Sequence, residues 1–534
     1  MKTLSAAALM ALSLPLSLPL ILPLIWPAAA SAQIVALPQG AVEGVTQYDV
    51  ESFKGIPYAA PPVGELRWRA PQAAPAWTGV RVADRFAPDC LQHALRGDDA
   101  PLSVKPSEDC LYLNVWRPAD MKPGAKLPVM VWVYGGGYVS GGTSPAIYDG
   151  KAFARDGIVF VSFNYRVGRF GFFAFPELTK EDADHGQLGD YAYMDMIAAL
   201  KWVKANIAAF GGDPGQVTIF GESAGGAAMH TLLTSPQARG LFNRAIIESG
   251  GGRGNLMGPR YLRDDRPGRP SGENIGVAFA RAHGVDGTGP EALKALRALP
   301  ADALVGGLGL ADYQPDTYAG PMLDGRIVVE DPDKAYAAGH DAGVSVMVGA
   351  NSGDLMPQSA VSKDALFAAF GADAGAARKA YDPDGAAPLA RLNAEVGMDQ
   401  LMVEPARLTA QALSAHGRAV YEYRFDYTAS QKKAGAPFGA PHASELPFVF
   451  ETVDARYGEA ATAQDHAASR LMHAYWANFA KTGDPNGAGL PQWPVYTADK
   501  DDLLIFTPDA GAGAVADPWK ARLDVTAKAA SEQH

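Results

Sequence analysis

The sequence predicts an α/β fold in which a mostly parallel central sheet is flanked by helices. Three observations carry this reading. Leu127–Tyr134 (LPVMVWVY), Gly157–Tyr165 (GIVFVSFNY) and Val217–Phe220 (VTIF) are continuous β-favouring apolar runs, as expected of strands covered on both faces. Between the second and third, Ile197, Leu200, Val203, Ile207 and Phe210 recur at spacings of three and four, one face of an amphipathic helix. Strands alternating with helices in this way form parallel sheets through crossover connections.

The chain opens on MKT, a long apolar stretch, and Ala30-Ser31-Ala32 before Gln33. A basic residue, an apolar segment and an A-x-A site describe a secretory signal peptide, with cleavage expected after Ala32. Pro15, Pro19, Pro23 and Pro27 would interrupt a membrane-spanning helix repeatedly, so stable membrane insertion is not expected. In an exported chain the two cysteines, Cys90 and Cys110, are most simply one disulfide; two free buried thiols are the alternative. No internal repeat or low-complexity linker divides the remainder, and residues 33–534 are expected to form one domain.

After the signal segment, Val42–Ile56 reads as short strands joined by turns, a small antiparallel region. The Pro-, Gly- and aromatic-rich stretch that follows is an ordered loop. The run 127–134 opens directly into Gly135-Gly136-Gly137-Tyr138, where consecutive glycines let backbone N–H groups approach a ligand. Gly211-Gly212-Asp213-Pro214 reads as a stop and turn. Val217–Phe220 then leads into Gly221-Glu222-Ser223-Ala224-Gly225 and an Ala-rich helix. This G-x-S-x-G pattern places a serine on a strained strand-to-helix corner. Arg244–Glu248 reads as the next strand, ending at Ser249. Gly251–Gly289 lacks periodicity at first and is expected to be an irregular excursion over the mouth of the site, with helices to about Leu310. Val344–Gly349 and Arg418–Tyr427 read as later strands.

The strings SEDCLYLNVW (107–116), NYRVGRFGF (164–172), AALKWVKANIAAFGGDP (198–214), YWANFAKTGDPNG (475–487) and LPQWPVY (490–496) are long and uncommon. On them the chain resembles type-B carboxylesterases, the group that includes cholinesterases and bacterial para-nitrobenzyl esterases. The resemblance runs from about Gly40 to Phe506 and implies the α/β-hydrolase fold. It implies Ser223 as nucleophile, Asp354 as the acid and His442 as the base, in the nucleophile–acid–histidine order of that fold. Asp354 stands where the family usually carries Glu in a G-x-N-x-x-E pattern, and His442 lies in GAPHASEL (439–446). The resemblance further implies an oxyanion hole from the N–H groups of Gly136, Gly137 and Ala224. Family members usually carry His before these glycines; here it is Tyr134. Ser249 is expected to support the acid by hydrogen bonding, and Glu222 to support the site from beside the nucleophile.

The implied chemistry is ester hydrolysis through an acyl-enzyme, with no metal and no organic cofactor. The partner is a small-molecule ester. The net charge of −12, without a basic patch, argues against nucleic acid. Cholinesterases hold a quaternary ammonium on aromatic faces, one a Trp in the first disulfide loop; residues 90–110 contain no Trp, Tyr or Phe, so neutral esters are favoured. Amide or peptide hydrolysis by the same residues is one alternative, and a non-catalytic recognition protein is another. The natural ester and the oligomeric state are not legible from the sequence.

Overall fold

The structure is a computed structural model and describes residues 33–93, 99–254, 260–309, 316–355 and 357–532. The expected signal segment, residues 1–32, lies outside them.

Eleven strands form the large sheet: β1 (Val45–Gln47), β2 (Val50–Pro57), β3 (Tyr112–Pro118), β4 (Leu127–Val133), β5 (Val159–Phe163), β6 (Gly212–Glu222), β7 (Arg244–Glu248), β8 (Ser345–Asn351), β9 (Val420–Phe425), β10 (Asp502–Phe506) and β11 (Ala512–Ala516). Their spatial order is β1-β2-β3-β5-β4-β6-β7-β8-β9-β10-β11. The seven strands from β5 to β10 pair in parallel, and the edges pair antiparallel. The continuous apolar runs are explained by this: every residue of β5 and the last five of β4 are buried, as a sheet covered on both faces requires.

The chain reverses its direction of travel across the sheet at β4. It moves outward to β5, then returns to β6 on the opposite side of β4. Such a switch point opens a crevice at the carboxyl ends of the strands. The Gly135–Gly137 loop leaves β4 there, Ser223 leaves β6, and the loop carrying Asp354 leaves β8. The topology gathers residues distant in sequence at one edge of the sheet.

The expected N-terminal antiparallel strands are present but divided between two sheets. Ile34–Leu37 and Gly40–Glu43 form a small sheet with Val80–Val82, whereas β1 and β2 extend the large one. One local expectation needs correction. The stop at Gly211 is real, with a left-handed backbone ending the helical segment, but the following residues already pair. Gly212 sits opposite Leu127, and the register shifts before Val217. An irregular strand can carry Asp213-Pro214 at such a shift because pairing is broken there.

Cys90 and Cys110 are joined in a disulfide, both buried in the main hydrophobic core. Among the described residues no helix is long and apolar enough to cross a membrane. Closing a loop of this length constrains the unfolded chain by about 3 kcal/mol. Replacing both cysteines with serine is therefore expected to lower the unfolding free energy by about that amount, read by urea denaturation with and without reductant. Equal stability of the two proteins would show that the crosslink adds nothing.

Candidate active site

Ser223 occupies the corner between β6 and the helix Ala224–Thr234, with φ 57° and ψ −121°. A non-glycine residue pays of order 1–3 kcal/mol for such a conformation. The corner is tight because the helix starts directly against β4: a Cβ on Gly225 would fall on the carbonyl oxygen of Val133. The Ser223 N–H donates to the Glu248 carbonyl at 2.9 Å, which ties the corner to β7. Although Ser223 is the helix N-cap, its hydroxyl makes no capping bond. Ala224 is the first helical residue, so its N–H has no partner within the helix.

Gly136 has φ 103° and Gly137 φ 61°. The Gly136 carbonyl accepts from Val139 and Ser140 N–H groups, both at 3.1 Å, which folds the loop back upon itself. Tyr134, in the position where His was expected, anchors the start of this loop. Its ring stacks on Tyr165 with centroids 4.3 Å apart. Tyr134 Oη donates to the Tyr165 carbonyl at 2.9 Å, and Tyr165 Oη donates to the Tyr134 carbonyl at 2.8 Å. A reciprocal pair of buried bonds fixes both backbones at once.

His442 and Asp354 meet across two cross-tied loops. Gly353 N–H donates to the Ala440 carbonyl at 2.9 Å, Ala440 N–H to Ser352 Oγ at 2.8 Å, and Asn351 Nδ2 to the Pro441 carbonyl at 2.7 Å. His442 Nδ1 then lies 2.6 Å from Asp354 Oδ1. The other Asp354 oxygen accepts from Ser249 Oγ at 2.6 Å and from Asn351 N–H at 3.1 Å, and Leu355 N–H donates to Oδ1 at 2.8 Å. Burial works against the charged carboxylate, but His442 and these donors outweigh it and hold the Asp354 pKa below its usual value.

Glu222 comes from the other side. Its Oε1 lies 3.0 Å from His442 Nε2, a charge contact rather than a hydrogen bond, since that oxygen has no hydrogen-bond partner among the described residues. Burial raises the Glu222 pKa to about 8. Burial alone would lower the histidine, yet Glu222 and Asp354 together raise His442 to about 10. Glu222 is neutral over part of this range, so histidine and glutamate titrate as a unit. Glu445, three residues after His442, is fully buried and accepts from Asn351 Nδ2 at 2.5 Å; burial raises it to about 7.

Ser223, Ala224, Gly136, Gly137, Glu222 and His442 all line one cavity of about 450 Å³. Ser249 and Asp354 stand behind His442, as the hydrogen bonds above show. The rest of the lining is mainly apolar, including Ile147, Tyr148, Leu355, Leu401, Met402 and Leu446. No described residue between 251 and 310 lines this cavity. That segment holds a helix at Gly272–Ala282 whose buried face packs on the Phe172–Phe175 region, so its apolar side is already occupied. Among the described residues no group of three His, Cys, Asp or Glu side chains is placed to hold a metal ion.

A carboxylesterase family model matches residues 31–366 and 374–517. The chain belongs to the carboxylesterase family. It is 36% identical over 489 residues to the fumonisin B1 esterase of Sphingopyxis macrogoltabida, covering 89% of this chain and 86% of that protein. It is 35% identical over 493 residues to the para-nitrobenzyl esterase of Bacillus subtilis (strain 168), covering 89% and 94%. A solved para-nitrobenzyl esterase superposes with TM-score 0.78 at 32% identity, covering 93% of this chain and 99% of that one. A Geobacillus stearothermophilus carboxylesterase gives 0.74 at 33% identity, covering 92% and 99%. This carboxylesterase thus has the α/β-hydrolase fold expected from its sequence.

Sequence reasoning did not single out Glu445, Leu401 or Met402. Glu445 had a signal: a carboxylate between His442 and the apolar run Leu446–Phe450 has to be buried with the run or break it. Leu401 and Met402 carried none, because apolar residues on a helix normally face the core.

Replacing Glu222 with Gln removes one of the two carboxylates facing His442. The histidine is expected to titrate above its usual 6.5 in the native enzyme, and about 1–3 units lower in Glu222→Gln. Chemical shifts of the His442 ring followed by NMR against pH would show this; an unchanged or raised midpoint would contradict the assignment.

Proposed function

We infer that this carboxylesterase cleaves neutral carboxylic esters through an acyl-enzyme on Ser223. The observation that carries the reading is the bonded Asp354–His442 pair opening into the cavity that the uncapped Ser223 hydroxyl also lines. A serine hydroxyl is a weak nucleophile near pH 7 until a base accepts its proton during attack. His442 Nε2 is that base in its unprotonated form. Because Glu222 and Asp354 favour the protonated ring, kcat/KM is expected to rise with pH as His442 loses its proton. Asp354 fixes the tautomer that presents Nε2, and stabilises the imidazolium as it forms.

The oxyanion of the tetrahedral intermediate would lie against the N–H groups of Gly136, Gly137 and Ala224. Each such donor typically contributes about 3 kcal/mol to the transition state. His442 next protonates the departing alcohol. Water then attacks the acyl-Ser223 ester with the same proton path, and the free serine returns. Ser249 and Glu222 support without reacting, Ser249 by holding the acid and Glu222 by stabilising the protonated imidazole.

The mainly apolar lining, whose ionisable members besides His442 include the acidic Asp99 and Glu222, favours uncharged acyl and alcohol groups over anionic ones. We read residues 1–32 as a signal peptide removed in export and the rest as one hydrolase domain. The disulfide supports this, since such bonds persist in oxidising compartments.

Ser223→Ala is expected to lower kcat for p-nitrophenyl acetate by about 10⁴-fold or more while the circular dichroism spectrum and unfolding midpoint stay within experimental scatter of wild type. Retention of most of the turnover would remove the mechanism.

A further inference from the structure

The helices Leu389–Met398 and Glu404–Ala415 would be one continuous helix but for a π-helical turn between them, Asp399–Val403. Such a turn holds one residue too many for α-helical packing, persists only where its surroundings hold it, and recurs at functional sites. This one delivers Leu401 and Met402 to the wall of the cavity that Ser223 also lines.

Both ends of the turn are pinned by ion pairs. Asp399, fully buried, accepts from Tyr381 Oη at 2.8 Å. It faces Arg522 on the C-terminal helix Lys520–Glu532, with Nε 2.7 Å from Oδ2 and Nη2 3.1 Å from Oδ1. The Arg522 guanidinium lies over the Trp519 ring at 3.7 Å. Glu404, just past the turn, receives both Nε and Nη2 of Arg253 at 2.5 and 2.6 Å. Between these pairs, Met402 and Val403 pack in one small cluster with Leu523 of the C-terminal helix. Buried pairs of this kind add little net stability over apolar packing, but removing one partner strands a charge, so they act chiefly as positional constraints.

We propose that the 399–403 turn is the size filter for one half of the ester, with Asp399 and Arg522 as positioning residues that set how far Leu401 and Met402 reach toward Ser223. This rests on Ser223 being the nucleophile. The filter works through space alone: room for one methylene in an apolar pocket changes kcat/KM by about tenfold or more. Arg522 is 123 residues from Asp399 in sequence, so the C-terminal helix tunes selectivity without touching substrate.

The test compares wild type, Leu401→Phe, Asp399→Asn and Arg522→Lys on two series. One is p-nitrophenyl esters from acetate to decanoate; the other is acetate esters of alcohols from ethanol to octanol. kcat and KM are measured separately, with circular dichroism to confirm folding. Leu401→Phe is expected to lower the long-to-short ratio of kcat/KM by about tenfold or more in one series and to leave the other ratio in place. Asp399→Asn is expected to change that same ratio by about threefold or more, chiefly through KM. Arg522→Lys keeps the charge and should change it less than Asp399→Asn does. Should Asp399→Asn not fold, Leu401→Phe and Arg522→Lys still decide. Both ratios unchanged in Leu401→Phe, or all esters slowed equally in Asp399→Asn, would overturn the filter. Wild-type turnover that survives Ser223→Ala would instead overturn the nucleophile assignment.

Discussion

A 2.6 Å contact between His442 Nδ1 and Asp354 Oδ1 is what the rest of the site is arranged to preserve. The two residues are 88 positions apart and belong to loops that leave the sheet separately. Left alone, each loop would spend its polar backbone groups on water. Here the Gly353 N–H, the Ala440 N–H and carbonyl and the Pro441 carbonyl are paired across the two loops, with Ser352 Oγ and Asn351 Nδ2 as partners. The loops are thus tied together before the Asp354 and His442 side chains are considered. Ser249 and the N–H groups of Asn351 and Leu355 then saturate the carboxylate. An aspartate so held has little freedom to rotate or protonate, and the imidazole it faces inherits that order.

The electrostatic consequence is a crowd of acids around one histidine. Glu222, Glu248, Glu445 and Asp354 are all buried near His442 or its partners. Four carboxylates cannot all be ionised in a space that excludes water. The structure divides them by partner. Asp354 keeps its charge because four donors meet it, whereas Glu222, Glu248 and Glu445 are each pushed up by burial. Glu248 accepts a bond from Trp476 Nε1 at 2.7 Å, while its other oxygen has no partner among the described residues, which fits a carboxyl that carries a proton.

Much of this was legible in the sequence, and the reasons differ from element to element. The strands at β4 and β5 could be read because burial on both faces leaves no polar alternation. The corner at Ser223 could be read because the glycines around it are forced by backbone contact: Gly225 against Val133, and Gly135 against the backbone of Glu222. Asp354 came only through the resemblance, since a loop carboxylate has no local pattern. The cavity wall at Leu401 and Met402 was missed for a related reason. Leu401 and Met402 sat in an ordinary helical stretch, where nothing local shows that the helix breaks register. Arg522, Tyr381 and Arg253 contact the ends of the π turn from distant parts of the chain, and contacts supplied by distant residues leave no periodic trace.

Ester hydrolysis by the proposed route requires that Ser223 be the hydroxyl His442 activates. A fluorophosphonate reacts with such a serine and with few others, so the most direct measurement is adduct mapping by mass spectrometry on the full chain. One equivalent is expected on the peptide containing Ser223, with labelling lost when His442 is replaced by Ala. A label on a different residue, or equal labelling in the His442 variant, would contradict it.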